Sequence, residues 1–315
     1  ADSRYRQLQR FFASTDICFD GVSQFIVRLF FSDSAHFSLT MDRTNWKYGR
    51  ANINILMLGI CYKKRAIPVC WMMLNKAGNS NTQERIELIL RFINLFGRER
   101  IDVLLADREF VGGDWFYWLR EQKIPFNIRI KQNNITTNSR GLSVDIDGLF
   151  YHLKPGEELV LSGIRRLWEV PVYLAGLRLH DGELLIVATS EYCSNAIQQY
   201  TKRWEIETLF ECLKGRGFNV EDTRLTSPER VSKMVAILAL TYCWAHKTGE
   251  WRSEQGDGIN IKKHGRLAKS FFRHGLDLIQ QIALGSYVNN KVIKRCCRLM
   301  RPRAMEIKSI GLFVF

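Results

Sequence analysis

SLTMDRTNW (38–46), NINILMLGICYKK (52–64) and AIPVCWMMLN (66–75) are three consecutive runs rich in apolar and β-branched residues. YGRA links the first pair and KKR the second, and links this short favour antiparallel neighbours. Beyond Asn75 the period changes. Residues 82–97 (TQERIELILRFINLFG) carry apolar side chains at helical spacing, IDVLLADREF (101–110) is a short buried strand, and DWFYWLREQ (114–122) is a helix. IPFNIRIKQ (124–132) adds another strand. Three antiparallel strands followed by strand–helix–strand units predict a mixed α/β sheet with right-handed crossovers.

Outward from this block, residues 4–31 read as two short helices, with Ser14 or Asp16 as the cap between them. Residues 133–185 break the alternation. The polar stretch NNITTNSRGLSVDIDG gives way to short strands at FYHL, EELVL, RRLWEVPVYLAGLRL and ELLIVATS. This is expected to be a β-rich insertion, after which the chain returns to the main sheet. A further helix is expected from about Pro228 to Lys247. The division predicted is an N-terminal helical segment (1–35), a core in two parts (36–132 and 186–250), the insertion (133–185) and a basic C-terminal region (251–315).

The chain of 315 residues is 46% apolar, enough for a real core, and carries a net charge of +14. That excess favours polyanionic partners and is not spread evenly. Residues 260–315 hold 12 Lys or Arg against two acids, Asp277 and Glu306. Eight cysteines without CxxC spacing suit a reducing cytosol, and six scattered histidines offer no zinc spacing. The longest apolar run, Met234–Ala245, is too short to span a bilayer, so no membrane role is expected. The sequence starts at Ala1 in helical-looking residues without a Met, and is read as trimmed at that end.

Function concentrates in YTKRWEIETLFECLK (200–214), a stretch of strong helix formers free of Pro and Gly, with Ser194 or Asn195 as candidate cap. At about 100° per residue, Tyr200, Arg203, Glu207 and Lys214 share one stripe roughly 60° wide, beside an apolar face of Ile206, Leu209, Phe210 and Leu213. A hydroxyl, a guanidinium, a carboxylate and an ammonium on one strip suit a metal and phosphates together. Glu211 falls near the same stripe and competes with Glu207. Two further acids sit on strands. Asp42 interrupts what is otherwise a buried face, and Asp107 ends the run VLLA at the carboxyl end of a central strand, where α/β sheets gather their sites. Three hard oxygen donors from separated elements fit Mg²⁺ or Mn²⁺ and not Zn²⁺. Two such ions would neutralise the acids and promote attack on a phosphodiester. Glu109 is given either a supporting or a surface role, and Arg108 none.

MDRTNW, LLADREF and the spacing Y-(2)-R-(3)-E-(6)-K resemble the DDE transposases of the insertion-sequence-four group over roughly residues 36–247. The resemblance implies a ribonuclease-H-like core with a β insertion before the catalytic glutamate. It implies a catalytic triad at Asp42, Asp107 and Glu207 holding two Mg²⁺ ions. Phosphate contacts would fall on Tyr200, Arg203 and Lys214, and the protein would act as a homodimer synapsing two transposon ends. It further implies an aromatic residue in the insertion that holds a flipped base, for which Trp168 is the candidate, flanked by Arg165 and Arg166. Lys291, Lys294, Arg295 and Arg298 line one side of a basic helix, and together with Phe271 and Phe272 nearby they suggest contact with the DNA backbone, or docking of a second subunit. A bacterial cytoplasmic enzyme, associated with the nucleoid when on DNA, is expected. A nuclease or resolvase of the same fold and an inactive DNA-binding relic remain open alternatives.

Overall fold

The alternation read from the sequence becomes a nine-stranded sheet in a computed structural model, which describes residues 2–215, 217–263, 265, 267–287 and 289–302. These residues form two units, one holding the chain up to Ile17 and His36–Val235, the other holding Cys18–Ala35 and everything from Ala236 on.

In the first unit, α1 (Asp2–Ser14) precedes three antiparallel strands, β1 (Phe37–Tyr48), β2 (Ala51–Tyr62) and β3 (Arg65–Met73). β2 and β3 are buried almost throughout and β1 in its first half, Leu39, Met41, Leu56, Met57 and Leu58 completely, where both faces of the sheet are covered. Helix α3 (Thr82–Phe96) opens with a capping box, in which the Asn81 side chain and Glu84 satisfy each other's backbone N–H groups. After β4 (Ile101–Ala106), α4 (Gly113–Glu121) and β5 (Phe126–Ile130), the sheet order is β3-β2-β1-β4-β5, with β4 parallel to both β1 and β5. This is the mixed, ribonuclease-H-like arrangement expected from the sequence.

Residues beyond β5 first form a separate two-stranded hairpin and then extend the main sheet. The hairpin of β6 (Ile135–Thr137) and β7 (Ser143–Asp145) stands off it, and a short α5 (Ile146–Phe150) follows. Then β8 (Glu158–Val160), β10 (Val170–Arg178) and β11 (Leu184–Thr189) join the sheet at β5 in the order β5-β11-β10-β8, while β9 (Arg165–Leu167) pairs with β10. The apolar run LLIVAT of β11 is buried at every residue, so its backbone N–H and C=O groups need partners within the protein, and it finds them in β5 on one edge and β10 on the other.

The stretch expected as one helix from Tyr200 is divided. Helix α6 (Ala196–Tyr200) passes through a 3₁₀ turn (Thr201–Trp204) into α7 (Glu205–Leu213). Asn195 stands at the start of α6, but its side chain makes no capping bond. The 3₁₀ turn winds more tightly, at about 3.0 residues per turn, lengthens the rise by about 0.5 Å per residue, and shifts the stripe that a uniform helix would present.

Helix α8 (Pro228–Glu254) gives its first turns to the first unit and the rest to the second. The second unit also contains α2 (Phe19–Phe30), α9 (Phe271–Ala283) and α10 (Asn290–Arg298). The start of α2 is capped by Cys18, whose sulfur accepts the Gly21 N–H, and not by Ser14 or Asp16. Phe272 is fully buried against Tyr242, so it belongs to the core and not to a DNA-facing surface.

Candidate active site

The register of the sheet sets two of the acids side by side. Met41 lies opposite Ala106 in the parallel pair β1–β4, so Asp42 and Asp107 are the next residues on adjacent chains, with a strand spacing of about 4.8 Å. There β4 ends and turns, Phe110 N–H bonding back to the Asp107 carbonyl at 2.8 Å, while β1 continues beside β2. The divergence opens a crevice at the carboxyl end of β4, the position where sheets of this class place their chemistry.

Helix α7 lies over β1, β2 and β3 and brings the third acid. Its preceding 3₁₀ turn is fastened by Thr40, whose hydroxyl donates to the Arg203 carbonyl at 3.3 Å from the strand face that also carries Asp42. Tyr200 is buried and donates its hydroxyl to Asp107 at 3.4 Å. Arg203 is buried, with its guanidinium 3.5 Å from Asp42 and bonded to Glu207. A buried guanidinium needs such partners. Tyr200, Arg203, Asp42, Asp107 and Glu207 therefore form one connected cluster.

Burial dominates the electrostatics of the cluster. Burial pushes the Asp42 carboxyl up from 3.8 to about 6, the Arg43 N–H and Arg203 pull it down, and the charges of Asp107 and Glu207 push it further up. Burial works against the Arg203 guanidinium, but Tyr200, Glu207 and Asp107 more than offset it, and its pKa lies above the usual value. Burial also raises the Tyr200 hydroxyl, which keeps it a hydrogen-bond donor.

Asp42, Thr44, Glu207, Glu211 and Lys214 line a groove of about 510 Å³. Of the two glutamates, Glu207 is bonded to Arg203 and its charge is felt at Asp42. Lys214 ends α7 at the groove wall, donating to the Asn45 carbonyl at 2.9 Å and pairing with Glu221 at 3.1 Å. Among the described residues no three carboxylate, imidazole or thiol groups stand close enough together to hold an ion as they are. The cation among the acids is Arg203. The donor chemistry nevertheless fits a divalent ion: three carboxylates, of which Asp42 is raised mainly by burial and further by the charges of the other two.

A family model described as the transposase DDE domain matches residues 28–244. The chain belongs to the DDE transposase family. No curated protein matches it. Among solved structures, one similar chain is the piggyBac transposase in a synaptic complex with hairpin DNA, at 10% identity and a TM-score of 0.44, with 86% of this chain covered. The present chain spans 59% of that piggyBac chain. Another is the catalytic domain of human endonuclease V, at 12% identity and a TM-score of 0.30, covering 81% of this chain and 97% of that one.

Other residues named from the sequence lie elsewhere. Trp168 is at the tip of the β9–β10 hairpin, partly exposed and edge-on to Phe116 at 5.4 Å. In the second unit, Lys291, Lys294, Arg295 and Arg298 are exposed on α10, opposite the buried Cys296, whose carbonyl accepts the Trp244 indole N–H at 2.9 Å.

Two residues beside this cluster were underrated by sequence. Arg43 and Glu109 form a two-pronged ion pair, with contacts of 2.8 and 3.1 Å, one residue after Asp42 and two after Asp107. Arg43 also bonds Asn54 at 3.0 Å, and Arg85 donates to the Glu109 carbonyl at 3.0 Å. The pair clamps the two acid-bearing segments together. The turn after Ala106 takes Glu109 off the strand on which alternation placed it.

Proposed function

We propose that this chain is a cut-and-paste transposase of the insertion-sequence-four group, which hydrolyses phosphodiesters at transposon ends and joins the freed 3′-hydroxyls to target DNA. The observation that carries the reading is the pairing of Asp42 and Glu207 with one buried guanidinium, with Asp107 beside Asp42 in the sheet register and bonded by Tyr200. Asp42, Asp107 and Glu207 would hold two Mg²⁺ ions, with Mn²⁺ as substitute. Bound there, the ions would supply charge neutralisation and activation of the attacking hydroxyl.

The protein's own side chains do the rest. Lys214 presents positive charge at the groove, where the non-bridging oxygens of a phosphate fit. Arg203 lies buried behind it on Asp42 and Glu207, and Tyr200 fixes the direction of the Asp107 carboxyl through its hydroxyl. The Arg43–Glu109 pair keeps the two strand acids in register. Trp168 would hold a base extracted from the duplex by stacking, on a hairpin that also carries Arg165 and Arg166. The basic face of α10 would contact DNA backbone without reading sequence. Double-stranded DNA is the partner, at transposon ends and target, and the working species is a homodimer in the bacterial cytoplasm. No helix among the described residues is long and apolar enough to cross a membrane.

Incubating the protein with Mg²⁺, labelled end DNA and a plasmid target tests the assignment. Cleavage followed by joining, both lost in Asp42→Ala, is the expected outcome. Cleavage without joining would replace it with a nuclease, and processing unaffected by Asp42→Ala would remove the site altogether.

A further inference from the structure

The turn between β2 and β3 consists of Lys63 and Lys64 alone, since Tyr62 faces Arg65 across the ladder. Both lysines have left-handed backbone, with φ of +49° and +66°. A two-residue turn of this hand favours Asn-Gly or Asp-Gly, and a residue with a Cβ costs about 1–2 kcal/mol at each place. Something must hold two lysines there.

Glu205 does so. Its carboxylate accepts the Tyr62 N–H at 2.9 Å, and the backbone N–H groups of Arg65 and Lys64 also bond it. Burial raises the pKa of this carboxyl, against those bonds and the nearby Lys202. The Cys61 thiol donates to the Lys202 carbonyl at 3.7 Å, which seats Lys202 beside the same end of β2. Lys63, Lys64 and Lys202 are all exposed, with the Lys63 ammonium 5.0 Å from the Tyr62 ring centre. Glu205 is the first residue of α7, and Glu207 lies about 3 Å further along the same helix axis. Charge added for solubility has no need of a strained turn; here the chain forgoes a stable one and fixes its lysines to the catalytic helix.

We propose that Lys63, Lys64 and Lys202 form a rigid contact for the phosphate backbone of duplex DNA, held at a set distance from Glu207 by the Glu205 staple. The inference rests on the DNA-processing reading above and adds a binding surface to it. The contact reads no bases, because ammonium groups on phosphates position a duplex without specifying it.

The test is the double variant Lys63→Asn/Lys64→Gly, which installs the sequence the turn prefers and keeps every backbone N–H that Glu205 bonds. Its urea midpoint is expected to rise, and a fall would overturn the strained-turn argument. Binding to a labelled end duplex is measured across a salt series without metal, and joining to a plasmid target with Mg²⁺. If the end duplex is the one held, the slope of log affinity against log salt becomes shallower by about 1–2. If the target duplex is held, end binding and cleavage persist while joining falls at least tenfold. Binding and joining both equal to the parent protein would overturn the inference and leave the proposed function standing. A parent protein that binds no DNA would overturn both.

Discussion

Replacing Asp42 by Asn removes a buried negative charge from a cluster that already holds two more. The Asp42 side chain is 18% exposed and its carboxyl is raised from 3.8 to about 6. That displacement disfavours the ionised form by about 3 kcal/mol at neutral pH in metal-free protein. Asn keeps the shape and can still accept the Arg43 N–H that Asp42 accepts at 2.7 Å. The attraction of Arg203 at 3.5 Å is already contained in that displacement, so the net gain is about 3 kcal/mol. Because the folded pKa lies above the unfolded one, the folded protein holds its proton longer. The stability contributed by this one carboxyl is fully present below about pH 4, is lost as pH rises to about 6, and is flat above. Urea unfolding in EDTA at pH 7.5 and pH 4 measures this. The variant is expected to be the more stable at pH 7.5, with the difference closing at pH 4, while end cleavage in Mg²⁺ is lost. An Asn variant no more stable at pH 7.5, or a difference independent of pH, would refute the reasoning.

Three other expectations concern the surroundings of the site and the helical unit. Arg43→Ala and Glu109→Ala each break a two-pronged pair whose side chains are 13% and 20% exposed, and a double-mutant cycle in urea should give a coupling of about 1–3 kcal/mol; additive losses would remove the clamp. In the second unit, a Cβ on Gly275 would fall 1.8 Å from the Ala245 carbonyl oxygen, and one on Gly249 the same distance from that of Phe271. Gly275→Ala is therefore expected to cost about 3 kcal/mol or more by forcing α9 off α8, and an unchanged melting temperature would contradict that packing. Alkylation followed by mass spectrometry should label Cys18 and Cys297 first and Cys70, Cys212, Cys243 and Cys296 last, since burial both shields Cys243 and pushes its thiol up. Early labelling of Cys243 would contradict its place in the core.

The sheet was legible because its signals are local. Short links forced β1, β2 and β3 antiparallel, and Asp107 at the end of VLLA marked where a central strand stops. The site was legible in identity more than in arrangement. Helical spacing put Tyr200, Arg203, Glu207 and Lys214 on one strip, but the 3₁₀ turn at Thr201–Trp204 broke the regular angle, burying Arg203 between Asp42 and Glu207 and leaving Lys214 at the helix end. Arg43 and Glu109 escaped because their bond joins positions 66 residues apart, and only the parallel register of β1 and β4 brings them together. The aromatic residue Phe272 was misread beside the basic tail, since a buried and an exposed phenylalanine look alike without knowing which face of α9 meets α8. The lysine turn was passed over as a simple link, because backbone handedness at Lys63 and Lys64 leaves no trace in residue type.

The central claim is that Asp42, Asp107 and Glu207 share divalent ions when DNA is bound. Anomalous scattering from Mn²⁺ in crystals of the chain on an end duplex addresses it directly. Peaks about 2.1 Å from oxygens of all three acids, with the Arg203 guanidinium turned from Asp42 and Glu207 towards a phosphate, are the expected result. Manganese bound elsewhere on the DNA-bound protein, with Arg203 still between Asp42 and Glu207, would contradict it.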